Sequence, residues 1–491
     1  MEPARVGLGQ LASSSVVYGV GGVVQRFLAF LLLPFFTDVL TPVEYGVLAL
    51  VGVVQIGLST IFSLGTGNSI AVLYFRAEAS ARQAIIWSCA LVLLVIGALN
   101  FAVLFYISPS ISTLVFETSE HAGLLRIAFA SLVVATLSEP FLNYLRMEQR
   151  PMTFVKLTIA GSGAGLLASV VFVIHLQWGA AGMLLGTLLG HAFTILLIAA
   201  TVAPRMRFAL NISMCWPLIA IGFPSIFGQF AFLLIDYADR QMLQRMAGLD
   251  QAGIYAVGYS IGMIMIVFVG AFGSAWPPFF ASYIERQSEA LEVFARVLRL
   301  FLALFGWLTL GMFAAAAPIV TLMTAPEFHA GWAVVGLVAA GFMLKGCYLI
   351  FLPGLYYNRK LWLQSLIEWI AAFANLGLNF WLIPRLGIVG AALATILSYF
   401  VLAALAWLAG RHFLPVRHDW WRNVLATGVL LSSGAALFLL GQRGGMGAQI
   451  GFGGAIMLLS GTALWFLVVT SAEREVALQR INALIGKVAR L

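Results

Sequence analysis

The chain has 491 residues, of which 62% are hydrophobic and only 9% are charged, and its formal net charge is +8. An ordinary soluble domain carries roughly 25% charged residues, so this composition excludes a soluble globular protein. The 27 lysines and arginines lie mostly in short segments between apolar blocks and not along a groove-facing helix, so the positive charge does not indicate nucleic-acid binding.

Apolar blocks of 18 residues or more recur along the whole chain, and each is long enough to cross a bilayer. The first block follows a segment with no small-residue cleavage site, so we expect it to be retained as a helix. We predict about fourteen transmembrane helices, near residues 11–33, 46–66, 84–106, 122–145, 153–174, 179–202, 214–237, 252–275, 295–317, 332–353, 361–383, 387–409, 423–441 and 448–470.

The distribution of lysine and arginine predicts the orientation of these helices, because basic loops are retained in the cytoplasm. With the N-terminus inside, twenty basic residues lie in cytoplasmic segments and four in outer loops. Both termini are therefore expected on the cytoplasmic side. Residues 471–491 place apolar side chains along one stripe, which favours an amphipathic helix at the membrane surface over a solvated tail.

An internal repeat is the second large-scale feature. The segment at 178–190 aligns with 386–398 at an offset of 208 residues, which matches Gly179 with Gly387 and Gly182 with Gly390. An offset that covers six helices gives both halves the same membrane orientation, so we expect an axis along the membrane normal to relate them. The predicted regions are a lobe at 1–203, a linker at 204–211, a second lobe at 212–410, two additional helices at 411–470 and a tail at 471–491.

These patterns predict an all-α integral membrane fold, with two six-helix bundles related by a pseudo-two-fold axis along the membrane normal and two further C-terminal helices. Cys89, Cys215 and Cys347 lie in apolar blocks without a CxxC or Cys/His cluster. The histidines form no metalloprotease motif, and no phosphate-binding Walker loop is present. We therefore expect no metal, no cofactor and no enzymatic activity.

Four stretches resemble a known family: 31–50, 234–263, 274–283 and 356–400. They are similar to the polysaccharide and oligosaccharide flippases of the multidrug/oligosaccharidyl-lipid/polysaccharide exporter superfamily. The resemblance implies translocation of undecaprenyl-diphosphate-linked oligosaccharide across the bacterial inner membrane by alternating access. It also implies a pathway for O-antigen, capsule or exopolysaccharide, in which a polysaccharide polymerase is a candidate partner.

A diphosphate requires cationic donors, and a charge within the bilayer is costly unless it faces a cavity. Arg26, Lys345 and Arg126 lie inside predicted helices and are our candidate substrate-binding residues. Each has an alternative role, either as a structural partner of a carboxylate or as a side chain that extends to the membrane surface.

Two acidic residues, Glu139 and Glu368, also fall inside predicted helices, where they are candidates for coupling transport to H⁺ or Na⁺ or for an ion pair. Asp236, Asp239 and Arg240 end the seventh predicted helix, where they are expected to gate the outer mouth or to anchor the helix. Pro224 is a candidate hinge in that helix, with a static kink as the alternative.

Three other functions fit parts of this pattern. A multidrug exporter favours a cavity rich in carboxylates and aromatic rings, and a peptidoglycan-precursor flippase shares the proposed lipid diphosphate. A membrane glycosyltransferase or polymerase needs large outer loops, whereas the longest loop predicted here spans only about 237–251. The identity of the glycan is not encoded in any of these patterns.

Overall fold

A computed structural model describes residues 17, 21–25, 27–443, 445–476 and 479. Helices account for nearly all of these residues, and the described part of the chain contains no β-strand. The chain divides into two compact units, Met1–Ala256 and Val257–Leu491. The predicted lobe boundaries at 203 and 212 stay a prediction.

In the described residues, the N-terminal unit (Met1–Ala256) contains short helices and a series of long apolar ones. Its helices are α1 Leu33–Thr37, α2 Pro42–Phe62, α3 Thr66–Arg76, α4 Ala79–Phe116, α5 Ala122–Met147, α6 Pro151–Val170, α7 Gly179–Thr201, α8 Cys215–Gly222, α9 Pro224–Ala247 and the first part of α10 Leu249–Gly262. A π-helical turn at Val171–His175 follows α6.

The start of α2 shows how the sequence fixes a helix end. The Thr41 side chain accepts a hydrogen bond from the Glu44 backbone, and the Glu44 side chain accepts one from the Thr41 backbone at 2.9 Å. Pro42 occupies the first helical position, where its missing N–H has no cost. The helix therefore begins four residues before the apolar block that predicts it.

The C-terminal unit (Val257–Leu491) begins within α10. Its further helices are α11 Met265–Ala281, α12 Gln287–Met323, α13 Trp332–Phe351, α14 Pro353–Tyr357, α15 Leu361–Phe413, α16 Trp420–Arg443 and α17 Met446–Ala463, and α15 is the longest helix described. A second π-helical turn, Leu464–Val468, follows α17. Helix α15 is interrupted at Gly387, where the backbone leaves the helical conformation with φ 54°.

Ten helical segments of the described chain are long and apolar enough to cross a membrane, or eleven if the bent pair α10 and α11 forms one span. The prediction of a multi-pass all-α membrane protein is confirmed. One of the ten segments, Leu361–Phe413, covers two of the helices predicted from sequence. The total of fourteen stays a prediction.

One sequence-based boundary is wrong. The predicted outer loop at about 237–251 is helical, because α9 continues to Ala247 and only Gly248 separates it from α10. Gly248 has φ 100°, a conformation that suits glycine. The fall in hydropathy after residue 236 reflects polar residues buried inside the unit, among them Asp239 and Gln244.

Backbone geometry supports the internal repeat, which itself stays a prediction. Gly179 and Gly387, the two glycines matched at the 208-residue offset, have left-handed φ values of 55° and 54°. Two non-glycine residues with positive φ, Gln149 and Arg359, also each lie two residues before a helix start, at Pro151 and Leu361, but their separation is two residues longer than the 208-residue offset. Matched positions of a repeat are expected to share such uncommon conformations.

Candidate functional site

A polar cavity of about 290 Å³ lies inside the N-terminal unit, among otherwise apolar helices. It is formed where α2 ends, where α3 begins, and by one face of α5 together with α9. The residues that line this N-terminal cavity are Ser63, Gly65, Gly67, Asn68, Glu139, Leu142, Asn143, Arg146 and Gln229.

A break between two helices opens the first wall of the cavity. Leu64 and Gly65 have φ values of 49° and 65°, so the chain turns sharply between α2 and α3. Glycine adopts this conformation without strain. The turn brings Ser63 and Gly65 to the cavity together with Asn68, which lies in the first turn of α3.

Helix α5 supplies the second wall with a regular spacing. Glu139, Leu142, Asn143 and Arg146 follow the i, i+3, i+4, i+7 pattern that places side chains on one helix face. Arg146 donates a hydrogen bond from Nη1 to Asn143 Oδ1 at 3.3 Å, and its guanidinium packs over the Phe154 ring at 4.7 Å. The cavity wall thus contains one anion, one cation and an amide.

The chemistry of this lining suits a polar ligand. Carboxamides both donate and accept hydrogen bonds, and Asn68, Asn143 and Gln229 contribute three of them. The Arg146 guanidinium offers a planar fork for a phosphate or a carboxylate. The Glu139 carboxylate accepts hydrogen bonds from hydroxyl groups or attracts a cation. A cavity with these groups fits sugar hydroxyls and phosphate oxygens better than an apolar drug.

A second polar cluster lies in the C-terminal unit, where it surrounds Glu368. This carboxylate is 4% exposed, and its Oε1 accepts hydrogen bonds from Tyr348 at 2.6 Å and from Gln364 at 2.9 Å. One turn before Tyr348 on α13, the Lys345 ammonium lies 5.3 Å from the centre of the Tyr399 ring and 5.8 Å from that of Phe342. Both sequence candidates are therefore inside this unit, among aromatic side chains.

Helix α15 also buries two asparagines. Asn375 and Asn379 are fully buried, and the Asn379 amide donates to Asn375 Oδ1 at 2.9 Å. The remaining atoms, Asn375 Nδ2 and Asn379 Oδ1, have no hydrogen-bond partner among the described residues. Buried amides with unused hydrogen-bonding capacity in a membrane helix are costly, which favours a functional role for them.

The third basic candidate, Arg126, contacts α4 instead of the cavity. Its Nε donates to Ser108 Oγ at 2.8 Å and to the Phe105 carbonyl at 3.2 Å, and its guanidinium packs over the Phe105 ring at 4.5 Å. These contacts hold the side chain against α4 within its own unit. They support the structural role of Arg126, while its role in substrate binding stays a prediction.

The residues predicted to gate the outer mouth are held inside helix α9. Asp239 is fully buried, accepts a hydrogen bond from the Tyr255 hydroxyl, and pairs with Arg240 Nη1 at 3.3 Å. Arg240 also donates to the Asp236 carbonyl at 2.7 Å and packs against the Tyr237 ring at 4.9 Å. This network ties α9 to α10 within the N-terminal unit.

The remaining two candidates from the sequence are Arg26 and Pro224. Arg26 lies outside the described residues, so its role stays a prediction. Pro224 occupies the first position of α9, directly after α8 ends at Gly222. The seventh predicted helix is thus two helices that meet at Phe223, and a proline is well tolerated at such a start.

Sequence reasoning missed most of the cavity wall. It assigned Arg146 to a cytoplasmic loop and passed over Asn68, Asn143 and Gln229, because amides contribute no charge to a search for ionisable residues. The i, i+3, i+4, i+7 spacing from Glu139 to Arg146 was the available signal. Among the described residues, no group of three or more His, Cys, Asp or Glu side chains is placed to hold a metal ion.

Apolar helices long enough to cross a membrane, together with a polar cavity inside one unit, define a multi-pass membrane protein. Solved structures share this fold. The chain is similar to the lipid II flippase MurJ in an inward closed conformation, with 13% identity, a TM-score of 0.70, and coverage of 92% of this chain and 99% of that one. An inward-facing multidrug resistance transporter of the MATE family and MOP superfamily matches with 14% identity, a TM-score of 0.68, and coverage of 82% and 94%.

A variant of the Vibrio cholerae MATE transporter VcmN also matches, with 17% identity, a TM-score of 0.58, and coverage of 83% and 97%. A family model described as polysaccharide biosynthesis protein matches residues 11–284. The chain belongs to this family, and the family resemblance drawn from its sequence is confirmed. No curated protein matches the chain in sequence.

Proposed function

We propose that this protein flips an undecaprenyl-diphosphate-linked oligosaccharide from the cytoplasmic to the outer leaflet of the bacterial inner membrane. Translocation proceeds by alternating access and supplies repeat units for polysaccharide biosynthesis. The observation that carries the proposal is the N-terminal cavity, whose lining combines three amides with Glu139 and Arg146 inside a membrane protein of the polysaccharide biosynthesis family.

Each class of lining group has a matching part in this substrate. The amides pair with sugar hydroxyls, which are both donors and acceptors. Arg146 pairs with a phosphate oxygen through a charge-assisted hydrogen bond, which is strengthened where water is scarce. Arg26 and Lys345 are further candidates for the diphosphate, and both assignments rest on their positions in the sequence.

The proposed energy source is a gradient across the membrane. The sequence contains no ATP-binding Walker loop, so the protein draws on an ion gradient or on the gradient of the substrate itself. Glu139 and Glu368 are the proposed sites for H⁺ or Na⁺ coupling. Glu139 lines a cavity, whereas Glu368 is enclosed by Tyr348 and Gln364.

The orientation of the protein follows from its basic segments. Both termini and the segments near 76–82 and 286–299 are proposed to face the cytoplasm. A cysteine introduced at the exposed position Ser288, in a background without the three native cysteines, is expected to resist an impermeant thiol reagent added outside intact cells. Labelling of this cysteine from outside would contradict the proposed orientation.

The transport proposal is tested with purified protein in liposomes that carry a fluorescent lipid-linked oligosaccharide in one leaflet. We expect the protein to accelerate appearance of the lipid in the other leaflet, and the double variant Asn68→Ala/Asn143→Ala to lose most of this activity. Asn100→Ala on α4, outside the cavity lining, is the matched control.

Three alternative substrates or products are measured in the same assay. Faster movement of a lipid-linked peptidoglycan precursor than of the oligosaccharide lipid would assign the protein to the precursor pathway. Export of an organic cation in place of either lipid would identify a drug exporter. Polymerised glycan instead of translocated lipid would identify an enzyme.

A further inference from the structure

A second polar pocket, of about 790 Å³, lies in the C-terminal unit, where α15 ends and α16 begins. We call it the C-terminal basic pocket. The residues that give it its character are Trp407, Arg411, His412, Arg417, His418 and Trp420. None of its lining residues is acidic.

The two arginines of this pocket are available for a ligand. Arg411 packs its guanidinium over the Trp407 ring at 4.7 Å, which fixes the side chain without using its N–H donors. Neither Arg411 nor Arg417 has a hydrogen-bond or ion-pair partner in the part of the chain that the structure describes. A guanidinium is always charged and matches the geometry of a phosphate.

The carboxylate that follows the pocket in the chain is already paired with other cations. Asp419 follows His418 in the chain, and its Oδ2 lies 3.4 Å from Arg299 Nη1 and 3.6 Å from Arg422 Nε. Its other oxygen accepts a hydrogen bond from the Arg422 backbone at 3.3 Å, near the start of α16. The positive charge of Arg411 and Arg417 is therefore left uncompensated by Asp419.

His418 adds a neutral donor or acceptor. Its Nδ1 is buried and has no hydrogen-bond partner among the described residues, and its ring packs at 5.4 Å from Trp420 and 5.6 Å from Phe351. Burial lowers the pKa of His418 to about 4, so the ring is neutral at pH 7. A lining residue of the basic pocket thus retains unused hydrogen-bonding capacity.

The aromatic residues place the pocket at the membrane surface. Trp407 and Trp420 contact each other with ring centres 5.1 Å apart, and tryptophan is enriched at the boundary between lipid headgroups and hydrocarbon. Leu408, which also lines the pocket, is 44% exposed, as suits a residue that faces an acyl chain. The pocket thus joins a cationic region to an apolar edge.

We propose that the C-terminal basic pocket binds the phosphate headgroup of an anionic phospholipid. Basic pockets between transmembrane helices recognise such headgroups, and a free phosphate ion has no use for the apolar edge. This inference is independent of the proposed flippase activity, because it concerns a different unit and a lipid that is not transported. The basic segments around the pocket assign it to the cytoplasmic leaflet.

The test uses the full-length protein, stripped of lipid in a neutral detergent, and native mass spectrometry with added lipids. We expect cardiolipin or phosphatidylglycerol to bind at least about tenfold more tightly than phosphatidylcholine. The double variant Arg411→Gln/Arg417→Gln is expected to lower this affinity about 10- to 30-fold. Arg411→Lys/Arg417→Lys should lower it less, because lysine keeps the charge but loses the planar fork.

A matched control lies on the same helix, α15, just before its interruption at Gly387. Arg385 packs over Trp381 at 5.0 Å, with the same four-residue spacing as Arg411 and Trp407. The variant Arg385→Gln therefore tests whether any arginine–tryptophan pair of this kind is enough to bind the lipid. Equal binding of phosphatidylcholine, equal loss in Arg385→Gln, or full competition by inorganic phosphate would overturn the proposal. Displacement by undecaprenyl diphosphate would also overturn it, because the pocket would then belong to the substrate.

Discussion

Glu139 and Arg146 lie two turns apart on one face of α5, and both side chains line the N-terminal cavity. Side chains seven residues apart on an α-helix lie on the same face, so the helix itself places these two side chains together. The pair gives the cavity one negative and one positive group without requiring any second helix. A substrate with hydroxyls and phosphates meets both kinds of partner in one place.

Removing the cation is expected to weaken transport selectively. Arg146→Gln keeps hydrogen-bonding capacity but loses the charge, and a hydrogen bond to a charged group contributes about 1.5 to 3 kcal/mol. We expect lipid-linked oligosaccharide transport in liposomes to fall about 10- to 100-fold. Arg150→Gln, which changes an exposed arginine at the start of α6, should transport normally. Equal activity of the two variants would remove Arg146 from the substrate path.

Glu139 tests the coupling hypothesis. If its carboxylate carries H⁺ or Na⁺, Glu139→Gln should transport at a rate that no longer responds to an imposed ion gradient. Glu368→Gln provides the comparison in the C-terminal unit. The measurement is the initial rate with and without a pH or sodium gradient across the liposome membrane. A rate that still rises with the gradient in both variants would leave the ion-pair role as the better explanation.

The sequence predicted much of the helical framework, because a long apolar segment in a bilayer must satisfy its backbone hydrogen bonds internally and therefore forms a helix. It predicted less of the site. Lys345 and Glu368 were found because charges are rare in such helices, whereas Asn143 and Gln229 carry no charge that distinguishes them. The polar residues near Asp239 indicated a loop, yet Tyr255 and Arg240 satisfy that carboxylate inside the unit, which no hydropathy pattern records.

The Asp239 network is expected to stabilise the N-terminal unit. Asp239→Ala leaves Arg240 buried without its carboxylate, and breaking such a pair costs about 3 kcal/mol or more. Tyr255→Phe removes one hydrogen bond to the carboxylate and should cost about 1.5 to 3 kcal/mol. Thermal unfolding in detergent measures both, with the exposed Asp250→Asn as the control. Normal stability with reduced transport would instead favour the gate predicted from the sequence.

Glu473 is expected to make stability depend on pH. Burial raises its pKa, but hydrogen bonds from Thr470 and the nearby Arg299 outweigh burial and lower the pKa to about 2. Arg296 Nε also contacts Glu473 Oε1 at 2.7 Å. A lowered pKa means that the ionised carboxylate stabilises the fold fully above its ordinary pKa near 4.5, and that this contribution is lost as the pH falls towards 2.

The measurement compares the melting temperatures of wild type and Glu473→Gln across a range of pH. Wild type should be more stable by about 2 to 3 kcal/mol at pH 7, and the difference should shrink below pH 4.5. Glu475→Gln, at an exposed position two residues later, should match wild type throughout. A difference that does not change with pH would show that the Glu473 charge is not the cause.

The close packing of α6 against α7 depends on glycine. A Cβ added at Gly190 would lie 2.8 Å from the Gly161 carbonyl oxygen and 2.9 Å from Gly165 Cα, and backbone atoms cannot move aside as a side chain can. Small residues let membrane helices approach this closely. Gly190→Ala is therefore expected to separate the helices and to lower the melting temperature in detergent.

The control is Gly163→Ala, on α6, where nothing lies within 4 Å of the new Cβ. This variant should be neutral or slightly stabilising, because alanine favours a helix over glycine by about 1 kcal/mol. Equal melting temperatures for the two variants would show that this contact does not limit the approach of α6 and α7.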